Sequence, residues 1–152
     1  MGPLIKLDPN VATPCKKMLS KIFGSFFPSL IISKLNESEI TRDEAVVKRV
    51  VEDPLSWHGG MKLGLANVLL SAIETFETTE SLKTITAPLL VLQGGQDKIV
   101  LPEGAPFVHD NVGSVNKKLV VYEGAYHNLY CELEDVKAAS IKETCSWIEQ
   151  YS

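Results

Sequence analysis

Ala87-Pro88-Leu89-Leu90-Val91-Leu92-Gln93-Gly94-Gly95-Gln96-Asp97 is the stretch on which the reading of the fold turns. From Ala87 to Leu92 it is apolar without alternation, and Gln93-Gly94-Gly95 closes it. An unbroken apolar run of this kind, bounded by turn residues, marks a parallel strand covered on both faces. Leu119-Val120-Val121-Tyr122, closed by Glu123-Gly124, repeats the pattern. The segment between them, around Pro102 to Asn111, has the length of a helix, which makes a strand–helix–strand unit. A last helix is predicted from about Cys131 to Tyr151, with Ala138, Ile141, Cys145 and Ile148 on one face.

Upstream the periodicity is helical. Pro3-Leu4-Ile5 is a short apolar run, a strand remnant at most. Thr13 and Pro14 supply an N-cap and a first helical position, and Met18, Leu19, Ile22, Phe23, Phe26 and Phe27 follow at helical spacing. Pro28 interrupts this helix, and Leu30-Ile31-Ile32 continues the apolar stretch past it. Thr41-Arg42-Asp43-Glu44 has the form of a capping box, which starts a helix running to about Val51, and Asp53-Pro54 ends it. A further helix is predicted from about Trp57 to Phe76. The expected division is a cap or lid region over 1–84, with its strand remnant and following helix, and a βαβα core part over 85–152. Two parallel strands cannot cover both of their own faces, so this core reads as part of a larger sheet.

The bulk properties narrow the function. The chain has 152 residues, 45% hydrophobic and 22% charged, which suits one soluble globular domain. A net charge of −4 gives no electrostatic footprint for nucleic acid. Cys15, Cys131 and Cys145 are odd in number and form no CxxC pair, so they read as free thiols in a reducing compartment and not as a zinc site. No signal peptide or apolar run long enough to span a bilayer is visible, and Lys6 stands where a myristoylation signal needs Ser or Thr. Asn36-Glu37-Ser38 is a sequon by form only.

The chemistry gathers at the strand ends. Asp97 lies just past the first buried run and His127 just past the second, in Glu123-Gly124-Ala125-Tyr126-His127. Catalytic groups of open parallel sheets collect at the carboxyl ends of strands. An ionised aspartate accepting from one imidazole nitrogen fixes the tautomer of the ring and stabilises its protonated form, leaving the other nitrogen to take a proton from a nucleophile. Taken singly, either residue is more often a turn or packing residue. Together, at strand ends and in the order Asp then His, they match the second and third members of a Ser–Asp–His triad.

These segments, Pro88–Gly94 leading to Asp97 and Tyr122–His127, resemble the closing half of monoacylglycerol lipases. Asp53-Pro54-Leu55, Gly60, Lys62 and the apolar helix ending near Ala72 are similar to the cap of the same family, as is the apolar stretch broken by Pro28. The resemblance implies a partial α/β-hydrolase fold, with a helical cap followed by the last two parallel strands and their helices. It also implies a membrane-facing lid over a tunnel for a long acyl chain, and hydrolysis of glycerol monoesters without metal or organic cofactor. The chain departs from better-known members at Trp57, Gly64 and Val100, where vertebrate relatives have cysteines near the site, and around Val50, where a tyrosine is replaced. Thiol regulation and glycerol contacts are therefore not carried over.

The nucleophile of such an enzyme sits on a G-x-S-x-G elbow. No serine of this sequence fits it: Ser25 follows Gly24 but precedes Phe26-Phe27, and Ser114 follows Gly113 but precedes Val115. The resemblance places the elbow before the cap, upstream of residue 1 in this numbering, with the oxyanion segment further upstream. His58-Gly59-Gly60 imitates an oxyanion loop but lies in the cap, and His109 reads as a surface residue. The expected function is thus the C-terminal part of a monoacylglycerol lipase-like serine hydrolase, cytoplasmic and peripherally membrane-associated, with Asp97 and His127 in place and no nucleophile. The alternatives are a lysophospholipase or other carboxylester hydrolase, or a non-catalytic lipid-binding module. The segment from Cys15 to Leu35, rich in Phe, Leu and Ile with interleaved lysines, suits a membrane interface.

Overall fold

Strand β3 (Leu89–Gly94) and strand β4 (Lys117–Tyr122) pair in parallel, with Leu89 opposite Lys117 and Gly94 opposite Tyr122. In-register pairing ends both strands at one level, so the residues after Gly94 and after Tyr122 emerge side by side. The computed structural model describes residues 2–6, 13–76 and 79–152. The side chains of residues 14–17, Cys15 among them, and of Thr79 lie outside that description.

Alternation along β3 assigns its side chains to two cores. Val91 packs with Leu82, Ala105, Val108 and Val112 on one face, against helix α4 (Thr79–Lys83) and helix α5 (Gly104–Asn111). Leu92 packs with Ala125, Leu129 and Val136 on the other, under helix α6 (Glu134–Tyr151). The strand is covered on both faces, as the unbroken apolar run requires. The segment 2–6 forms no strand. It makes one main-chain bond to β3, from Gly2 N to Leu92 O at 3.0 Å, and tucks Ile5 against the Val91 core.

The front of the chain is helix α1 (Pro14–Phe26), strand β1 (Ile31–Ser33), a 3-10 turn (Glu37–Glu39), helix α2 (Glu44–Glu52), strand β2 (Met61–Lys62) and helix α3 (Leu63–Phe76). β1 and β2 form an antiparallel ribbon that the sequence reading missed, because three residues leave no room for a period. The same ribbon delays α3, which starts at Leu63 and not near Trp57. Gly60, at φ +87°, makes the turn into β2 that a helix over these residues would exclude. α1 docks on α3 at Gly24, where a side chain would collide with Asn67, and Asn67 Nδ2 donates to Ser20 O at 2.8 Å.

Two local readings are corrected. The N-cap of α2 is Asp43, whose carboxylate accepts from the amides of Ala45 and Val46 at 2.9 and 3.3 Å. Thr41 is pulled away from the capping role because its buried hydroxyl donates to Cys131 O at 2.7 Å. The helix still ends where Asp53-Pro54 requires, with Asp53 in extended backbone. In α6 the face turned to the core carries Val136 and Ser140, whereas Ala138, Ile141, Cys145 and Ile148 lie exposed. The apolar stripe is real, but β3 and β4 do not use it.

Candidate active site

Gly94 brings the two strand ends together. A Cβ there would run into the carbonyl oxygens of Tyr126 and Ala125, so only glycine lets the 123–127 loop fold across the end of β3. Gln96 N then donates to Ala125 O at 2.9 Å and Gly95 N to Tyr122 O at 2.9 Å, zipping the two loops. Gly124, at φ +74°, turns the second loop back.

Asp97 and His127 meet on this platform. His127 Nδ1 lies 2.8 Å from Asp97 Oδ2. The same Oδ2 accepts from Gln93 Nε2 at 3.1 Å, and Oδ1 accepts from the amides of Ile99 and Val100 at 2.9 and 3.0 Å. Burial by itself pushes the Asp97 carboxyl up. The bonds from His127, Val100 and Ile99 outweigh it and hold the group below its ordinary value. The carboxylate side chain is fully shielded and the imidazole about 31% exposed. An ionised acceptor therefore fixes the Nδ1–H tautomer, and Nε2 is the nitrogen available for proton transfer.

Gly2 packs against the pair. A Cβ on it would stand 3.1 Å from the His127 ring and 3.2 Å from Asp97 Oδ2, at a φ of +42° that already disfavours a side chain. Nothing in the sequence pointed to this glycine, because its role comes from a contact across the whole chain. Gln93 was visible only as a strand-closing residue. It is fully buried, and its Oε1 has no hydrogen-bond partner among the described residues.

The other candidates lie elsewhere. His58 sits between α2 and β2, 3.3 Å from Glu37 Oε1, and His109 pairs with Asp110 on α5 at 2.9 Å. Ser25 Oγ bonds Lys21 O within α1, and buried Ser114 bonds Asn116 O. Cys131 and Cys145 are free thiols. An open cleft of about 690 Å³ is lined by Ile40, Val50, Trp57 and Leu65 on one side and by Lys98 and Ile99, in the loop after Asp97, on the other.

Comparison with known proteins follows the same outline. The family model described as serine aminopeptidase, S33, matches residues 1–134. Human monoglyceride lipase is 31% identical over 150 residues, which is 99% of this chain and 49% of that protein. A monoglyceride lipase homolog of monkeypox virus is 32% identical over 149 residues, 97% of this chain and 52% of that protein. The crystal structure of Paleococcus ferrophilus monoacylglycerol lipase superposes with a TM-score of 0.84 at 26% identity, over 99% of this chain and 57% of that one. The chain spans about half the length of the curated relatives it matches.

Proposed function

We propose, for a chain that belongs to the serine aminopeptidase S33 family and carries part of an α/β-hydrolase fold, that Asp97 and His127 are the acid and base of a serine carboxylester hydrolase acting on long-chain monoacylglycerols. The observation that supports this most is the 2.8 Å bond between His127 Nδ1 and Asp97 Oδ2, at the carboxyl ends of adjacent parallel strands. In this reading Asp97 holds the imidazole and His127 Nε2 takes the proton of a serine hydroxyl as its oxygen attacks the ester carbonyl. The protonated imidazole then gives that proton to the departing glycerol oxygen. Water releases the fatty acid from the acyl-enzyme with His127 again as base.

The serine belongs on a G-x-S-x-G elbow outside these 152 residues, and the chain by itself does not turn over substrate. The names of the relatives support an acylglycerol as substrate. Residues 1–84 act as the cap and 85–152 as the core part. The cap also supplies a contact with a lipid surface: Phe23, Phe26, Phe27, Leu30, Ile31 and Ile32 are 48–75% exposed on adjoining elements. Among the described residues no helix is long and apolar enough to cross a membrane, and attachment through this surface is peripheral.

Two measurements test the reading. A fluorophosphonate probe leaves the chain unlabelled; labelling would reveal a nucleophile within it. Fused to the part of the Paleococcus enzyme that this chain does not match, the chain releases fatty acid from monoacylglycerol, and His127→Ala abolishes release. A chimera that prefers lysophospholipid points to the lysophospholipase alternative. A folded chimera indifferent to His127 defeats the assignment.

A further inference from the structure

Glu132 is a buried carboxylate that the proposed chemistry does not use. Its side chain is fully shielded, yet it accepts four hydrogen bonds. Oε1 receives the amides of Tyr126 and Arg42 at 2.9 and 3.1 Å, and Oε2 receives Arg42 Nε and the amide of Leu133 at 2.8 and 3.1 Å. Two of these donors belong to the residue that leads into α2, and a third is the amide of the residue before His127. Burial pushes the Glu132 carboxyl up, but the Tyr126, Arg42 and Leu133 bonds bring it below its ordinary value.

Adjacent bonds repeat the connection. Asn128 N donates to Ile40 O at 2.8 Å, and Thr41 Oγ1 donates to Cys131 O at 2.7 Å. The residues on both sides of His127 are thus tied to 40–42, the strap that enters the cap. The loop needs such an anchor. From Glu123 to Leu133 its only regular element is the 3-10 turn Leu129–Cys131, and the imidazole is held through one ring nitrogen. Bonds to an ionised, shielded acceptor are among the strongest a loop can make, and a carboxylate that loses part of its donors there is costly.

We propose that Glu132 is a positioning residue: through Arg42 it clamps the His127 loop to the base of the cap, so that the cap entry and the His127–Asp97 bond are set by one network. The inference rests on reading Asp97 and His127 as the catalytic pair, and it predicts that disturbing the cap entry reaches the imidazole. A carboxylate that served stability alone would lower the unfolding temperature when replaced and leave the ring as it was.

The tautomer of His127 separates these cases, and it needs no turnover. In the full chain labelled with ¹⁵N-histidine, at a pH where the ring is neutral, long-range ¹H–¹⁵N spectra give the ratio of Nδ1–H to Nε2–H forms. Glu132→Gln and Arg42→Met are each expected to lower that ratio about tenfold, the cost of a weakened charge-assisted bond. Leu70→Ala, a cavity in the cap away from the clamp, lowers stability and leaves the ratio unchanged. Arg42→Lys restores part of it. A wild-type ratio in both folded Glu132→Gln and Arg42→Met overturns the clamp. Should Glu132→Gln not fold, Arg42→Met decides alone, since its backbone amide still bonds Glu132. Asp97→Asn is the separate check: if it leaves the ratio untouched, the pairing of Asp97 with His127 fails as well.

Discussion

The strand-end corner and the front of the proposed cap handle the same kinds of residue in opposite ways. At the corner, Leu92, Ala125 and Leu129 are sealed, and the two carboxylates of Asp97 and Glu132 each collect four donors. On the cap, Phe26 is 75% exposed and Phe27 58%, with Leu30, Ile31 and Ile32 beside them. Burial with satisfied polar groups fixes a geometry, which is what proton transfer needs. An apolar surface left open does nothing for the chain itself and is explained only by what it touches. Substitutions at the corner should therefore move stability and site together, and those of the exposed side chains from Phe26 to Ile32 should move neither.

Gly94 is where the corner is most exposed to damage. Gly94→Ala sets a methyl group against the backbone of Tyr126, which has no rotamer by which to escape. It is expected to cost about 3 kcal/mol or more, read as a fall in urea midpoint, and to break the His127–Asp97 bond in the spectra described above. A Gly94→Ala protein with wild-type stability and tautomer ratio would mean that the corner tolerates slack, and the contrast with the cap would lose its physical basis.

The next largest effect is the acid limb. Asp97 is ionised in the fold at a pKa below its ordinary value, so its contribution is fully present above the unfolded value of about 3.9 and is lost as pH falls through the folded one. Asp97→Asn is expected to lower stability by about 2 kcal/mol at pH 7. Its unfolding curve should then converge on the wild type below about pH 4. Glu132 titrates in the same direction and remains in both proteins, so the difference isolates Asp97. A gap that stays constant from pH 7 to 3 would show that the bonds seen at Asp97 do not favour its charged form.

How far the sequence was legible follows the same contrast. The unbroken run Leu89–Leu92 announced a strand sealed on both faces, and the strand ends pointed to Asp97 and His127, whose side chains the fold brings within 2.8 Å, because buried parallel strands and their loops obey local rules. Arg42 and Glu132 were illegible for the opposite reason. Arg42 lies inside what reads as a capping box, and Glu132 carries no signal of its own within the predicted last helix; they meet across 90 residues, a pairing no spacing encodes. Thr41 was misread as a cap because its partner, Cys131 O, is equally distant in sequence. The face of α6 failed differently. Its apolar stripe was read correctly as a stripe, but the two strands present bury Val136 and Ser140 instead.

The smallest expected effect on stability comes from the cap, and it is the one that identifies the surface. Phe26→Ser and Phe27→Ser remove side chains that are already mostly in water, so each should change unfolding free energy by no more than about 0.5 kcal/mol. The same changes should weaken binding to phosphatidylcholine vesicles. A phenylalanine that inserts about half of its area loses roughly 2 kcal/mol on truncation at about 25 cal/mol per Å², which corresponds to about thirtyfold in affinity. Sedimentation with vesicles measures this directly, and zwitterionic lipid keeps the neighbouring lysines from contributing. Lys21 is in any case paired with Glu74 at 2.8 Å. If the variants lose stability but not vesicle binding, the two phenylalanines pack within the chain's own structure in solution, and the cap would be a second core like the corner. If they lose vesicle binding alone, the division holds: one end of the molecule spends its apolar residues on holding a histidine still, and the other keeps them for lipid.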